Sequence, residues 1–439
     1  MDEGSKESSW LIIREPIIRN VFILILALGF VGGLLRFLFP FQILNLGGTE
    51  TIIALGSSLS SIGQVIGLIL LSRLFSSQRV GLIVSGVLFT FFILATGFST
   101  TAELLLYSRI VEGAGAGLLA IIIIRISSGF EECRGESVGT LLAGVFLGSA
   151  LGQGSAGIVI GQLEVMYSMT QTEAIMFLGV VVSVVFVLLL ILLIPFIREI
   201  DTICVSTSDR NHGHSHTRLL LRSLRSKNLV ILLAIYILYD FSHGIYTPGL
   251  SIMINNNGIP IDQIGLGFLV GDAVWGASQL YTGKLVDRTG SLAPLALSLV
   301  AKGSIVIFYP YAASFMILTS LLAMAGLSEG FLEPARNDAA MEFTPTTTTD
   351  HNHKHYFLGH APGNPFSISS HDHEHIHETG SDEIVSILQT LGILGFAVGS
   401  SGGGWLLTQG LTLIDLVFIG GVFLIIAGIL SGGLRQSRD

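Results

Sequence analysis

The chain has 439 residues, 50% of them hydrophobic and 12% charged, with a net charge of −9. A mean hydropathy of +0.73 excludes a soluble globular domain, and two cysteines in separate loops, Cys133 and Cys204, exclude a disulfide framework or a Cys-built zinc site. The net charge says little about topology, because orientation in a bilayer depends on where the basic residues lie.

A helix needs about 20 apolar residues to cross the hydrocarbon core of a membrane. Apolar runs bounded by charges, Gly/Asn clusters or Pro predict twelve spans, at 21–43, 51–72, 80–98, 104–124, 140–162, 174–197, 229–253, 263–283, 292–312, 315–335, 385–407 and 412–433. The fold class expected is therefore an all-α integral membrane protein. The N-terminal MDEGSKESSW has neither a cationic start nor a cleavage site, so the first span is expected to stay in the protein. Outside the spans, every Lys and Arg lies in a terminal tail or the even-numbered connections, from Arg19, Arg73 and Arg79 through Arg210 and Lys227 to Arg336 and Arg435. The odd-numbered connections hold none. This one-sidedness predicts a multi-pass protein of the cell membrane with both termini in the cytoplasm.

An ionisable side chain inside a span costs several kcal/mol unless it is paired or wetted, which marks it as a functional candidate. In chain order these are Arg36 in the first span, Arg109 and Glu112 in the fourth, Asp240 in the seventh, Asp272 in the eighth, Lys302 in the ninth, and Glu329 and Glu333 in the tenth. Arg109 and Glu112 stand three apart and share a helix face. In the fifth span Gly144, Gly148 and Gly152 recur at four-residue intervals, a spacing that permits close helix contact in lipid. Between the sixth and seventh spans, TRLLLRSLRSK sets Arg218, Arg222 and Arg225 opposite leucines and reads as an amphipathic helix on the inner leaflet. Asp240 lies near mid-span, with His243 one turn away and Pro248 expected to bend the helix. Burial disfavours the charged form of a carboxylate, the property a proton carrier needs, and Asp240 is the first choice for one, ahead of Glu112 and Asp272. Lys302 is expected to pair with Asp272. Tyr236, Tyr239, Trp275, Gln279 and Tyr281 could shape an aromatic pocket for an organic molecule or could equally serve packing and anchoring.

The chain also repeats itself. IGLG at Ile264 and GKLVDRTG at Gly283 fall 211 positions after IALG at Ile53 and SRLFSSQR at Ser72, whereas GFAVGSSGGG at Gly395 falls 251 after GVFLGSALGQ at Gly144. The difference of 40 points to an insertion in the second half, and the long polar stretch there is Thr344 to Asp382.

GKLVDRTG, with Gly283, Asp287, Arg288 and Gly290, is similar to the loop signature G-x-L-x-D-R-x-G, and Ser76 and Ser77 replace its Asp and Arg in the first-half copy. YSRIVEGAGAG from Tyr107 is similar to a fourth-helix signature with a membrane-embedded Arg, here Arg109, with Glu112 in place of the usual Gln. Gly144, Gly148 and Gly152 match the fifth-helix signature G-x-x-x-G-P-x-x-G-G, where Ser149 and Gln153 replace the Pro and the last Gly. On these motifs the chain resembles the major facilitator superfamily, in its twelve-helix drug and metabolite efflux branch, over its whole length apart from the insertion. The resemblance implies two six-helix bundles with pseudo-two-fold symmetry, at 1–197 and 229–439, a cytoplasmic central loop at 198–228, and a cytoplasmic His-rich insertion at 344–382. It also implies a central cavity lined by the first, fourth, seventh and tenth helices, bringing Arg36, Arg109, Glu112, Asp240, Glu329 and Glu333 near substrate; Asp272, a carboxylate within the eighth span, is a further proton-pathway candidate on its own account. The conformational motifs would be the Gly283–Gly290 loop, the fifth-helix glycines and their repeat counterparts Gly395 and Gly399.

NHGHSH, DHNHKH and HDHEHIHE hold ten of the twelve histidines, including His351, His353, His355, His371, His373, His375 and His377. Imidazoles alternating with carboxylates suit Zn, Ni, Co or Cu, so weak divalent-metal binding in cytoplasmic loops is one expectation and a solvated linker the other. The histidine boxes of membrane enzymes sit on helices near the bilayer, unlike these polar runs, and no enzyme or cofactor is expected. The expected function is secondary active transport of a small molecule by alternating access, as proton-coupled efflux, in a monomer whose other partner is the lipid bilayer and not nucleic acid. Divalent-metal efflux and a receptor derived from a transporter are the alternatives.

Overall fold

The computed structural model describes residues 16–71, 74–75, 77–128, 134–193, 226–343, 356–357, 369–370 and 381–434. Twelve helices run through them. In the first half they are α1 (Pro16–Asn45), α2 (Glu50–Ile66, continued by a π-helical turn Gly67–Leu71), α3 (Gln78–Phe98), α4 (Ala102–Ser128), α5 (Arg134–Tyr167) and α6 (Gln171–Leu193). In the second half they are α7 (Lys227–Asn256), α8 (Ile261–Thr289), α9 (Leu292–Phe308, continued by a 3₁₀ turn Tyr309–Tyr311), α10 (Phe315–Glu342), α11 (Ser381–Thr408) and α12 (Leu413–Ser431). A two-residue antiparallel ladder pairs Tyr356 with Ser370 and Phe357 with Ser369 inside the insertion. The three histidine runs and the TRLLLRSLRSK segment lie outside the described residues, as do the side chains of Gly283, Asp287 and Arg288.

Eleven of the described helices are long and apolar enough to cross a membrane. The twelfth, α8, has the length but is diluted by Asp262, Gln263, Asp272, Lys284, Asp287 and Arg288 within its 29 residues. Of these, Asp272 bonds to α5 and Asp262 lies against Gly161 of α5, so both meet the rest of the protein. Lipid-facing surface is supplied elsewhere: α6 exposes Phe177, Val184, Val185, Leu188, Ile191 and Leu192, while α1 is enclosed over most of its length.

Helix packing repeats with a step of six. Helix α1 packs on α5 and α7 on α11, α2 on α4 and α8 on α10, α3 on α6 and α9 on α12, and the halves meet where α5 packs on α8 and α2 on α11. Helix ends repeat too. Gly47 and Gly258, 211 apart, both take positive φ, at 78° and 87°, just after α1 and α7. At the starts of α6 and α12, Thr170 with Glu173 and Thr412 with Asp415 form the same reciprocal cap, side-chain oxygens accepting from backbone N–H groups at both ends of each pair.

The glycine stripe of α5 lies on α1, where an added Cβ at Gly148 would overlap the Leu26 carbonyl and one at Gly152 the Phe30 carbonyl. In the second half, Gly395 lies against Ile237 and Gly399 against Phe241 of α7. Leu26 and Ile237 are 211 apart, so the structural counterpart of Gly395 is Gly148, one helical turn from the Gly144 that sequence matching selects. The shift between the glycine stripes is thus 247, not 251.

Candidate functional site

Helices α7, α9 and α10 place a chain of charged and phenolic groups at membrane depth. Glu329 of α10 is almost fully buried and is held three ways: its Oε1 meets Lys302 Nζ at 3.0 Å and His243 Nε2 at 3.2 Å, and its Oε2 accepts a hydrogen bond from the Tyr239 hydroxyl. The Tyr239 ring stands edge-on to His243, centroids 4.5 Å apart. Two turns along α10, Arg336 donates to Glu333 Oε1 at 2.9 Å and stands 3.5 Å from Asp240 Oδ2 on α7. Its guanidinium also lies over the rings of Tyr236 and Tyr239, 4.3 and 4.8 Å from their centroids. Tyr239 therefore touches both clusters. Glu329 and Arg336 are enclosed, whereas the side chains of Asp240 and Glu333 remain 21% and 22% exposed. On α11, Gly392 leaves the room that the Asp240 carboxylate occupies.

In the first half the buried pair Arg109 and Glu112 meets at 2.9 Å, and Ser60 of α2 donates to Glu112 at 2.6 Å. Arg109 lies over Phe39 and Phe92, with centroid distances of 4.6 and 5.4 Å. The guanidinium is thus wrapped by α1 and α3.

A third polar group sits on the seam between the halves. Asp272 Oδ2 on α8 accepts from Gln153 Nε2 at 2.6 Å and from Ser149 Oγ at 3.1 Å, both on α5. Beside it Trp275 stacks on Phe146 of α5 at 4.0 Å, and Phe268 meets Phe37 of α1 at 6.3 Å. The related seam of α2 and α11 is neutral: Ser58 Oγ bonds to the Ala397 carbonyl at 3.0 Å and to Ser401 Oγ at 2.8 Å. Two halves joined by hydrogen-bonded seams, with ionic clusters buried inside them, are parts an alternating carrier needs.

The model of the Major Facilitator Superfamily matches residues 21–352. The chain belongs to the major facilitator superfamily. It is a secondary transporter with many membrane-spanning helices, in contact with the lipid bilayer and moving a small molecule. No curated protein matches the sequence.

The structure gathers Asp240, Glu329 and Glu333, which the family resemblance assigned to one cavity, with His243, and it pairs Arg109 with Glu112, as their three-residue spacing implied. Three expectations are corrected. Lys302 pairs with Glu329, not Asp272, because α9 packs on α10 and brings the ammonium to the adjacent carboxylate. Arg336 is no loop cation: α10 continues past Pro334 to Glu342, and Arg336 is buried. Tyr281 is 72% exposed and lines no pocket with Tyr236, which is wholly buried beneath Arg336. Arg36 stands apart from the pairs, exposed on α1. Among the described residues no three His, Cys, Asp or Glu side chains converge as a metal site.

Sequence reasoning missed Arg336, Ser60, Ser149 and Gln153 as partners of buried carboxylates. Signals existed for some of them. Arg336 follows Glu333 by three residues, and buried Ala335, Ala339 and Ala340 continue the helical face beyond the proline. Ser149 and Gln153 are the two departures from the fifth-helix signature, and both now bond Asp272.

Proposed function

We propose that this transporter exports a small organic molecule in exchange for protons entering the cell. The observation that carries the reading is the sharing of Arg336 between Glu333 on its own helix and Asp240 on α7. Ionised Asp240 ties α7 to α10 through Arg336. A proton on Asp240 removes that tie and leaves Arg336 with Glu333, so protonation weights one arrangement of the two helices over the other. A ligand moves a conformational equilibrium only through such a difference in affinity. Glu329, with three partners, supports the frame, and Asp240, with one long contact and partial exposure, is the group left to exchange a proton.

The test uses purified protein in liposomes with an imposed pH gradient and a panel of organic anions, organic cations, sugars and Zn, Ni and Co salts. Wild-type protein is expected to accumulate an organic substrate against the proton gradient. Asp240→Asn should reduce gradient-driven accumulation by about 5- to 150-fold, the range of a typical coupling free energy, while substrate-for-substrate exchange continues. Retained proton-driven accumulation in that variant would remove Asp240 from the coupling. Absence of any flux would favour the transporter-derived receptor.

Divalent-metal export is the second reading, favoured by the alternating histidines of the 344–382 insertion on the side read as cytoplasmic. If metal is the cargo, deleting Thr344 to Asp382 lowers the metal tolerance of cells. Unchanged tolerance with organic export intact leaves the insertion as a linker.

A further inference from the structure

Four cations lie deep in the described spans, and three are neutralised: Arg109 by Glu112 at 2.9 Å, Lys302 by Glu329 at 3.0 Å and Arg336 by Glu333 at 2.9 Å. Arg36 is the fourth. Among the described residues no carboxylate comes within 4.0 Å of its guanidinium. It is exposed, yet the residues flanking it on α1, Leu35 at 0% and Phe37 at 3%, are enclosed.

The neighbours show what the exposed side of Arg36 faces. Phe37 meets Phe268 of α8 in the other half, and Phe39 meets Gly56 of α2 and underlies Arg109 of α4. Arg36 lies between these two directions, and its charge acts on both Asp272 of α8 and Arg109 of α4. It therefore opens into the gap between the halves and not onto lipid. Asp272, the carboxylate on which the charge of Arg36 acts, spends its Oδ2 on Ser149 and Gln153 of α5. A guanidinium held at membrane depth without a contact partner is costly, and a bound anion would offset that cost. One turn along α8 from Asp272, the half-buried Trp275 indole packs against Phe146, and its buried Nε1 lacks a partner among the described residues.

We infer that Arg36 anchors an anionic group of the substrate, and that the transported class is organic oxyanions, carboxylates or sulfonates on an aromatic or otherwise apolar body that lies toward Trp275. This rests on the reading of the chain as a carrier with its site between the halves.

The test measures binding first and flux second. Radiolabelled naphthalene-1-sulfonate, ethidium and inorganic phosphate are each titrated onto the purified full-length protein by equilibrium dialysis, and the sulfonate is then followed in liposomes under a pH gradient. The sulfonate is expected to bind in preference to ethidium and to phosphate. Arg36→Gln should weaken it by about tenfold or more, as the loss of a charge-assisted hydrogen bond would, and Arg36→Lys should retain most of the affinity. Equal sulfonate affinity in wild type and Arg36→Gln, tighter binding of ethidium, or phosphate binding as tightly as the sulfonate would each overturn the assignment. Thermal melting of both variants identifies a folding defect, and if Arg36→Gln does not fold, the Arg36→Lys comparison with ethidium and phosphate decides. Sulfonate binding that depends on Arg36 but drives no flux supports the anion site and counts against the proton-coupled carrier, so the two readings fail separately.

Discussion

Glu329 joins α7, α9 and α10 in the second half. Its carboxylate is removed from solvent, and Lys302, His243 and Tyr239 together supply the charge and the donors that make this tolerable. Removing one member of such a pair leaves an uncompensated buried charge. Lys302→Met should therefore destabilise the protein by about 3–5 kcal/mol, seen as a lowered melting temperature in detergent. The double variant Lys302→Met with Glu329→Gln should recover most of the loss, because no bare charge remains. Equal melting of the single and double variants would show that the pair is not the source of the effect. The ionisable residues themselves were legible in the sequence, since a charge in an apolar run is conspicuous. Their partners were not: 27 positions and a helix reversal separate Lys302 from Glu329, and only the packing of α9 on α10 decides that they meet.

Among the elements, α1 and α5 approach closely in the first half, and glycine allows it. At Gly148 a methyl group would meet the Leu26 carbonyl and the Phe30 nitrogen, backbone atoms that cannot turn aside. At Gly144 it would meet ring atoms of Phe22 at 3.0 Å, and a side chain can move. Gly148→Ala should thus cost about 1–3 kcal/mol through forced separation of the helices, while Gly144→Ala should leave the melting temperature nearly unchanged. Equal effects at the two sites would mean that backbone contact is not what the stripe provides. The four-residue spacing of the glycines was readable from sequence because it is local. Which of them touches backbone, and that Gly148 rather than Gly144 corresponds to Gly395, follows from the register of one helix on another.

For the whole molecule, the decisive feature is where the halves touch. Thr51 approaches the Gly404 carbonyl, Ser58 bonds Ser401, Gly161 lies against Asp262, and Gly157 lies against Gly265. These contacts lie toward the helix ends joined by the odd-numbered connections, with the Asp272 seam next in depth. An alternating carrier must break them in the opposite state. After replacement of Cys133 and Cys204, the pair Ser58→Cys with Ser401→Cys should form a disulfide under mild oxidation, since the hydroxyls stand 2.8 Å apart. Cross-linking should arrest transport and reduction should restore it. Undiminished flux through fully cross-linked protein would show that the seam does not open.

Hydropathy, the one-sided placement of Lys and Arg, the repeat and three short motifs were sufficient to read a helical membrane protein of two related halves, and the family, from the sequence alone. Each is a property of a short window or of one stretch matched to another. The tertiary structure decided which buried charges neutralise one another, that Arg336 is buried within α10, that Ser149 and Gln153 hold Asp272 across the seam, and that no carboxylate among the described residues contacts Arg36. Those outcomes depend on which helix faces oppose each other across the bundle, and one-dimensional periodicity says which residues share a face but not what that face meets.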